Sequence, residues 1–176
     1  MTYGPEFFEG RSVTVTASAD VLVNALYGLL TPSTVLDVGC GQGEWIAAFR
    51  ALGVEGLGVD IAAPDGEDFI RVDLTQRLAL GRVFDLALCL EVGEHLPETA
   101  ADTLIDTLAT HSDTVVFSAA VPGQEGTGHI NCQPHEYWHE KFAERGYATQ
   151  DVIRPLIAGD WRVSAWYRNN VFLYGR

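Results

Sequence analysis

The chain is poor in positive charge. Its 176 residues carry 11 Lys+Arg against 24 Asp+Glu, a formal net charge of −13. Such a surface repels phosphate backbones and acidic lipid, so electrostatic binding of nucleic acid is disfavoured. Cysteine is scarce as well. Cys40, Cys89 and Cys132 form an odd set at unrelated spacings, two of them inside apolar runs. That excludes a disulfide framework and reads as reduced, buried thiols in a cytoplasmic protein. The start lacks the basic and apolar regions of a signal peptide. Uncharged apolar stretches such as Leu86 to Leu90 are strand-sized, far short of the ~20 residues of a membrane span, so no membrane partner is expected. There is no repeat, low-complexity tract or long linker, and nothing in the sequence sets an oligomeric state. A chain of this length, 47% hydrophobic and 20% charged, is expected to form a single domain over residues 1–176.

What is present is an alternation of short apolar runs with helical patterns. Val21, Leu22, Ala25, Leu26, Leu29 and Leu30 recur at helical spacing behind Ser18 or Asp20 as cap, and Thr31-Pro32-Ser33 stops them. Val35 to Val38 reads as a buried strand, Glu44 to Leu52 as a helix closed by Gly53, and Gly56 to Asp60 and Phe69 to Val72 as further strands. Phe84 to Leu90 is nearly all apolar, as a central parallel strand is. A helix is expected after Pro97, with Leu96, Ala100, Leu104 and Leu108 four apart. Thr114 to Ser118 is a strand, and Pro134 to Arg145 a helix stopped by Gly146. The tail from Val163 to Tyr174 reads as a closing hairpin or antiparallel edge. This alternation implies an α/β fold, a mostly parallel sheet with helices on both faces, whose ligand sits beyond the carboxyl ends of the strands.

Those ends carry the informative residues. The first strand runs into Asp37-Val38-Gly39-Cys40-Gly41-Gln42-Gly43 and then a helix. A dinucleotide fingerprint needs its third glycine at position 44, which is Glu44, and no Lys-Ser/Thr follows, so a P-loop is excluded. A glycine turn fronted by carboxylates suits a ligand without phosphates that bears amine or sulfonium charge. Asp60 ends the second strand, where a carboxylate accepts from both ribose hydroxyls of a nucleoside. Asp73 follows the third strand, placed for an adenine amino group.

Val-Leu-Asp-Val-Gly-Cys-Gly-Gln-Gly (35–43), Gly-Val-Asp (58–60), Val-Asp-Leu (72–74) and the stretch from Phe84 to Pro97 occur in the order found in class I S-adenosylmethionine-dependent methyltransferases. The chain resembles that family from about residue 18 onward. It also resembles a small bacterial subgroup of undefined substrate through residues 117–124, 128–131 and 166–170. The resemblance implies a Rossmann-like seven-stranded sheet with the last strand antiparallel, and residues 1–17 as a lid or cap segment that includes Tyr3, Phe7 and Phe8. It assigns Asp37, Gly39, Cys40, Gly41 and Gly43 to the methionine moiety, Asp60 to the ribose and Asp73 to the adenine, with Glu91 among the cofactor contacts.

Methyl transfer is an in-line displacement, so the protein supplies alignment and, where the acceptor must lose a proton, a base. His95, after the fourth strand, and His129, after the fifth, are the expected catalytic residues. Glu91, Glu94 and His95, read as one helical turn, resemble the metal-binding stretch of small-RNA 2′-O-methyltransferases. With His129 they suit a divalent ion, but the shorter intervening segment argues against one. His135-Glu136-Tyr137-Trp138-His139 matches the zinc-protease signature without a third ligand downstream, and Trp138 and Phe142 read instead as that helix's apolar face. Trp161, Trp166 and Tyr167 read as core and hairpin packing. No basic run with interleaved aromatics exists, which favours a small-molecule acceptor over RNA or DNA. The expected activity is methylation of an oxygen on a sugar, glycan precursor or natural product. The alternatives are metal-assisted 2′-O-methylation of RNA ends and a non-catalytic cofactor-binding module.

Overall fold

The computed structural model describes residues 5–176, with side chains from residue 13 onward. Helix α1 (Pro5–Leu30) leads into strand β1 (Thr34–Val38), helix α2 (Glu44–Ala51), strand β2 (Glu55–Asp60) and strand β3 (Phe69–Arg71). Strand β4 (Leu86–Leu90), helix α3 (Ala101–His111) and strand β5 (Thr114–Ser118) follow. The chain closes with α4 (His135–Ala143), β6 (Ala148–Gln150), α5 (Arg154–Ile157), α6 (Ala165–Asn170) and β7 (Phe172–Gly175). The seven strands lie in the order β3-β2-β1-β4-β5-β7-β6. All pairings are parallel up to β5; β7 then runs antiparallel to both β5 and β6.

Side chains alternate across this sheet with the period of two that strands impose. Leu36, Ala87, Cys89, Val115, Phe117, Phe172 and Tyr174 point to one core, with Leu104 and Leu108 of α3 and Trp138 and Phe142 of α4. Val35, Leu86, Leu88, Val116 and Leu173 point to the other, with residues of α1, α2, α5 and α6. Every residue of β4 is buried, as its unbroken apolar sequence requires of a central strand.

The first helix begins earlier than its periodic residues indicated, so the expected lid segment is, from Pro5, continuous with α1. Ser18 is not its cap: the buried hydroxyl donates to the Thr14 carbonyl and accepts the Ser164 N–H at 3.0 Å, tying the helix to the tail. Tyr3 and the side chains of Phe7 and Phe8 lie outside the described residues. Val13–Leu30 is also long and apolar enough to cross a membrane, with mean hydropathy 1.5. The expectation of only strand-sized runs is corrected here, because Asp20 divides the run without ending it. Its Ala19, Leu22, Val23 and Leu26 are fully buried in the second core.

The tail departs from its aromatic, β-branched pattern. Residues 165–170 form α6, and only Phe172–Gly175 is a strand. Tyr167 there packs edge-on against Trp45 of α2 at 5.2 Å, a tertiary contact that outweighs its strand propensity. Trp161 is 86% exposed and takes no part in packing. The helix expected after Pro97 starts with a 3-10 turn, Glu98–Ala100, before α3.

Trp138 is buried in the first core. It lies 5.0 Å from the Phe117 ring, and a Cβ on Gly93 would sit 2.8 Å from its indole. Trp138→Ala is expected to cost about 3–5 kcal/mol, the range for emptying a buried aromatic site, read from the denaturation midpoint; a loss under about 1 kcal/mol would mean that the cavity collapses freely.

Candidate active site

Strand order reverses between β1 and β4, and a cavity of ≈ 580 Å³ opens where their carboxyl ends part. Its first half belongs to β1, β2 and β3. Gly39 and Gly41 line it, whereas Gly43 does not. Gly39 and Gly43 hold φ of 86° and 88°, conformations that favour glycine. Their missing side chains serve packing: a Cβ would sit 2.3 Å from Val92 at Gly39 and 2.6 Å from Phe69 at Gly43. Gly39 thus both packs against Val92 and borders the cavity, while Gly43 serves packing against Phe69.

Asp60 lines the cavity and accepts the Gly41 N–H at 3.0 Å on Oδ2 and the Ala62 N–H at 2.7 Å on Oδ1. Each oxygen keeps a second lone pair for a ligand. Asp73 stands exposed at the wall; the Thr75 hydroxyl at 2.7 Å and N–H at 2.9 Å hold its carboxyl below the usual range. Asp37 lies behind the turn rather than on the wall. It is 1% exposed with Oδ2 unpartnered, and burial, then the charges of Asp60 and Glu44, push its carboxyl well up. Cys40 reaches the wall with a thiol pushed up by burial and by Asp37.

The second half begins where β4 ends. Glu91 has φ 56°, a left-handed conformation unusual for a residue with a side chain. Its N–H donates to the Ser118 carbonyl at 2.9 Å and to Ser118 Oγ at 3.1 Å. Its carboxyl accepts from Gln124 Nε2 at 3.1 Å and Asn170 Nδ2 at 3.5 Å, while Asn170 Nδ2 also donates to Gln124 Oε1 at 2.9 Å. Burial raises the Glu91 carboxyl against the pull of these donors.

Glu91, Glu94 and His95 do not share a helical turn. Gly93–His95 is a 3-10 turn, and Glu91 stands outside it. The Glu94 carbonyl accepts the N–H groups of Ile130 and Asn131, which fixes the turn to the 121–131 loop. The Glu94 carboxyl is 0% exposed and neither oxygen has a hydrogen-bond partner. Burial, then the Glu91 charge, push it well above the usual carboxylate range. His95 Nδ1 donates to the Gly128 carbonyl at 3.2 Å and His129 Nδ1 to the Gln124 carbonyl at 3.1 Å. In the neutral rings both lone pairs therefore lie on Nε2. His129 Nε2 is 4.0 Å from Glu94 Oε1, and the two rings are 5.0 Å apart. One ligand atom from each of Glu94, His95 and His129 lies within 4.8 Å of the others, the one group of metal-ligand geometry among the described residues.

The His-Glu-x-x-His pair does not converge. His135 donates to Asn170 Oδ1 at 3.2 Å and His139 bonds the Tyr174 hydroxyl at 2.8 Å, while Trp138 and Phe142 form the buried face as expected. Trp166 lines the cavity instead of packing in a hairpin. Sequence reasoning about chemistry missed Gln124, Asn170 and Gly126, although the first two sit in stretches that carried the subgroup resemblance. A Cβ on Gly126 would sit 2.2 Å from His129 Nε2, so this glycine makes room for the imidazole.

A family model described as a methyltransferase domain matches residues 15–151. The fold is similar to that of DesVI from Streptomyces venezuelae, at 15% identity and TM-score 0.69, covering 97% of this chain and 95% of that one. It is also similar to the sugar N-methyltransferase KedS8 from Streptoalloteichus sp ATCC 53650, at 17% identity, TM-score 0.69 and coverage of 100% and 96%. Magnesium protoporphyrin IX methyltransferase (ChlM) from Synechocystis PCC 6803, solved with bound SAH, gives 20% identity, TM-score 0.68 and coverage of 100% and 89%. The sequence matches no curated protein.

Glu94 binds its proton more tightly in the folded chain than in the unfolded one. A raised carboxyl contributes stability that is complete below its unfolded pKa and is lost as pH rises through the folded one. The ligand-free protein is therefore expected to melt at lower temperature at about pH 8 than at about pH 5. Glu94→Gln should flatten that slope; parallel slopes in the two proteins would show Glu94 ionised throughout.

Proposed function

Because the chain belongs to the class I methyltransferase-domain family, we propose that it moves a methyl group from S-adenosylmethionine to a small-molecule acceptor. The observation that carries this reading is the division of one cavity between two sets of strand ends. One half presents Asp60 and Asp73 beside the glycine turn; the other presents Glu91, Glu94, His95 and His129. The first half fits the cofactor. Asp60 is already held by the Gly41 and Ala62 N–H groups, so its remaining lone pairs meet ribose hydroxyls without reorganisation. Asp73 takes the adenine amino group, and Gly39, Cys40 and Gly41 border the methionine moiety. Asp37 lies buried behind the glycine turn, off the cavity wall. When bound, S-adenosylmethionine supplies an electrophilic methyl group, and the chain's own work is to orient the acceptor, exclude water and take a proton.

In the second half His129 and His95 face the acceptor, with Nδ1 of each anchored on a backbone carbonyl. This orientation suits a base that acts through Nε2. A sugar, glycan precursor or natural product suits the cavity, whose lining among the described residues contains no lysine or arginine to greet RNA. The acceptor atom we propose is oxygen. The free cysteines fit a cytoplasmic setting, which we propose in turn.

A second reading rests on the 4.8 Å clustering of Glu94, His95 and His129, a donor set that fits a divalent ion. Such an ion would acidify an acceptor hydroxyl, and its mark is turnover that collapses in chelator and returns with added metal.

Asp60→Ala is expected to weaken S-adenosylmethionine binding by about 1–3 kcal/mol by calorimetry, the range for hydrogen bonds to charged groups. Gly126→Ala should bind the cofactor as the wild type does yet slow S-adenosylhomocysteine formation about a hundredfold, if the displaced His129 moves by ~1 Å. Normal cofactor affinity in Asp60→Ala would remove the ribose role. A wild-type chain that binds the cofactor and never yields S-adenosylhomocysteine would be a binding module.

A further inference from the structure

We propose that Trp166 is a specificity residue, the platform on which the acceptor lays the apolar face of a pyranose ring. The inference deepens the methyltransferase reading and rests on it. Trp166 lines the cavity and stays 38% exposed, whereas Tyr167 beside it is 4% exposed. Helix α6 is held at several points, so the indole is presented from a fixed support. Tyr167 meets Trp45 edge-on at 5.2 Å, and Arg168 Nη1 donates to the Ala158 carbonyl at 3.3 Å. At the end of the helix Asn170 Nδ2 donates to Gln124 Oε1 at 2.9 Å and to Glu91 Oε1 at 3.5 Å. Trp166 and Asn170 are four apart, hence neighbours on one helix face with Cβ atoms about 5–6 Å apart. The indole therefore stands one turn from the residue that meets Glu91, in the acceptor half of the cleft. A second residue of α6 faces the same carboxyl: burial, then the Glu91 charge, push the Tyr167 phenol up.

What surrounds the indole selects its occupant. Glu91 Oε2 accepts from Gln124 Nε2 and Oε1 from Asn170 Nδ2, so each oxygen keeps a lone pair. Gln124 also lines the cavity; it gives one of its two amide hydrogens to Glu91 and keeps the other. The site thus joins an apolar face to a rim that both accepts and donates. A pyranose has the same division: a carbon–hydrogen face without polar hydrogens, ringed by hydroxyls that each donate and accept. An all-carbon aromatic ring would cover the indole and leave the rim unanswered. An open-chain polyol would answer the rim and leave the indole uncovered. Apolar contact for affinity, with a few placed polar groups for orientation, is the ordinary division of labour in small-molecule sites. Trp166 takes no proton and forms no bond; it holds the ring so that one hydroxyl reaches the methyl group.

The test takes the methyl pyranosides of glucose, galactose, mannose and rhamnose as probes, with sorbitol and phenol as the open-chain and flat comparators. Each is titrated into the S-adenosylhomocysteine-saturated protein while melting temperature and tryptophan fluorescence are followed. At least one pyranoside should stabilise the wild type saturably, beyond sorbitol, and change its fluorescence. Trp166→Ala should weaken that pyranoside about tenfold, the size of one ring-on-aromatic contact. Trp166→Phe should keep most of the binding yet lose most of the fluorescence change, a split that a merely structural role would not produce. Trp161→Ala alters an indole that is 86% exposed and off the cavity wall, and should match the wild type in both readouts. No effect from any of the four, equal effects from sorbitol, an effect confined to phenol, or unchanged pyranoside affinity in Trp166→Ala overturns the proposal. So does a fall in S-adenosylhomocysteine affinity in Trp166→Ala, which would place the indole on the cofactor. Failure of the wild type to bind S-adenosylhomocysteine, scored separately by calorimetry, would instead count against the cofactor reading.

Discussion

The acceptor end of the cleft hangs from one backbone constraint, the left-handed conformation of Glu91. Such a conformation costs about 1–3 kcal/mol in a residue with a Cβ and persists only where the surroundings over-determine it. Here β5 does so, because both the carbonyl and the hydroxyl of Ser118 accept the Glu91 N–H. The kink breaks the line of β4 and throws the chain at once into the Gly93–His95 turn. Had Glu91 continued the strand, the alternation of side chains would have sent Glu94 and His95 to opposite faces. The kink is what lets both join the cavity wall.

Three remote stretches lock onto that point. Gln124 comes from the loop after β5, Asn170 from the end of α6 and His135 from the start of α4. They meet in a continuous set of hydrogen bonds ending on the Glu91 carboxyl. The same loop supplies the carbonyls that orient His95 and His129. The loop after β5 therefore holds both imidazoles and, through the Gln124 side chain, the Glu91 carboxyl. A shift in any of the three stretches is felt at the acceptor, because interiors packed at this density transmit strain.

Legibility in the sequence followed how local each determinant is. Strand β4 could be read from residues 84–90 alone, since a strand buried on both faces must be apolar throughout. Asp60 could be read from its place after a short apolar run. Its second task, bonding Gly41 and Ala62, depends on where β1 lies and has no local mark. Asp37 looked like a ligand contact because it stands next to the glycines; strand alternation buries it instead. Helix α6 and strand β6 were hidden for the opposite reason. Tyr167 and its neighbours carry strand propensity, and only the surface of α2 decides that they coil. The burial of Glu94 was invisible too, because nothing near an exposed-looking acid in the sequence says which loop will cover it.

Burying acids in an already acidic chain runs against stability. A net charge of −13 disfavours further ionisation, and Asp37, Glu91 and Glu94 are all raised by burial before any other cause. None of the three forms an ion pair with Lys or Arg among the described residues. Such groups are retained at a structural cost that occupation offsets, since whatever binds the folded state alone stabilises it by mass action. Under the proposed function S-adenosylmethionine, with its sulfonium and ammonium, is the occupant that brings positive charge to the half of the cavity in front of Asp37.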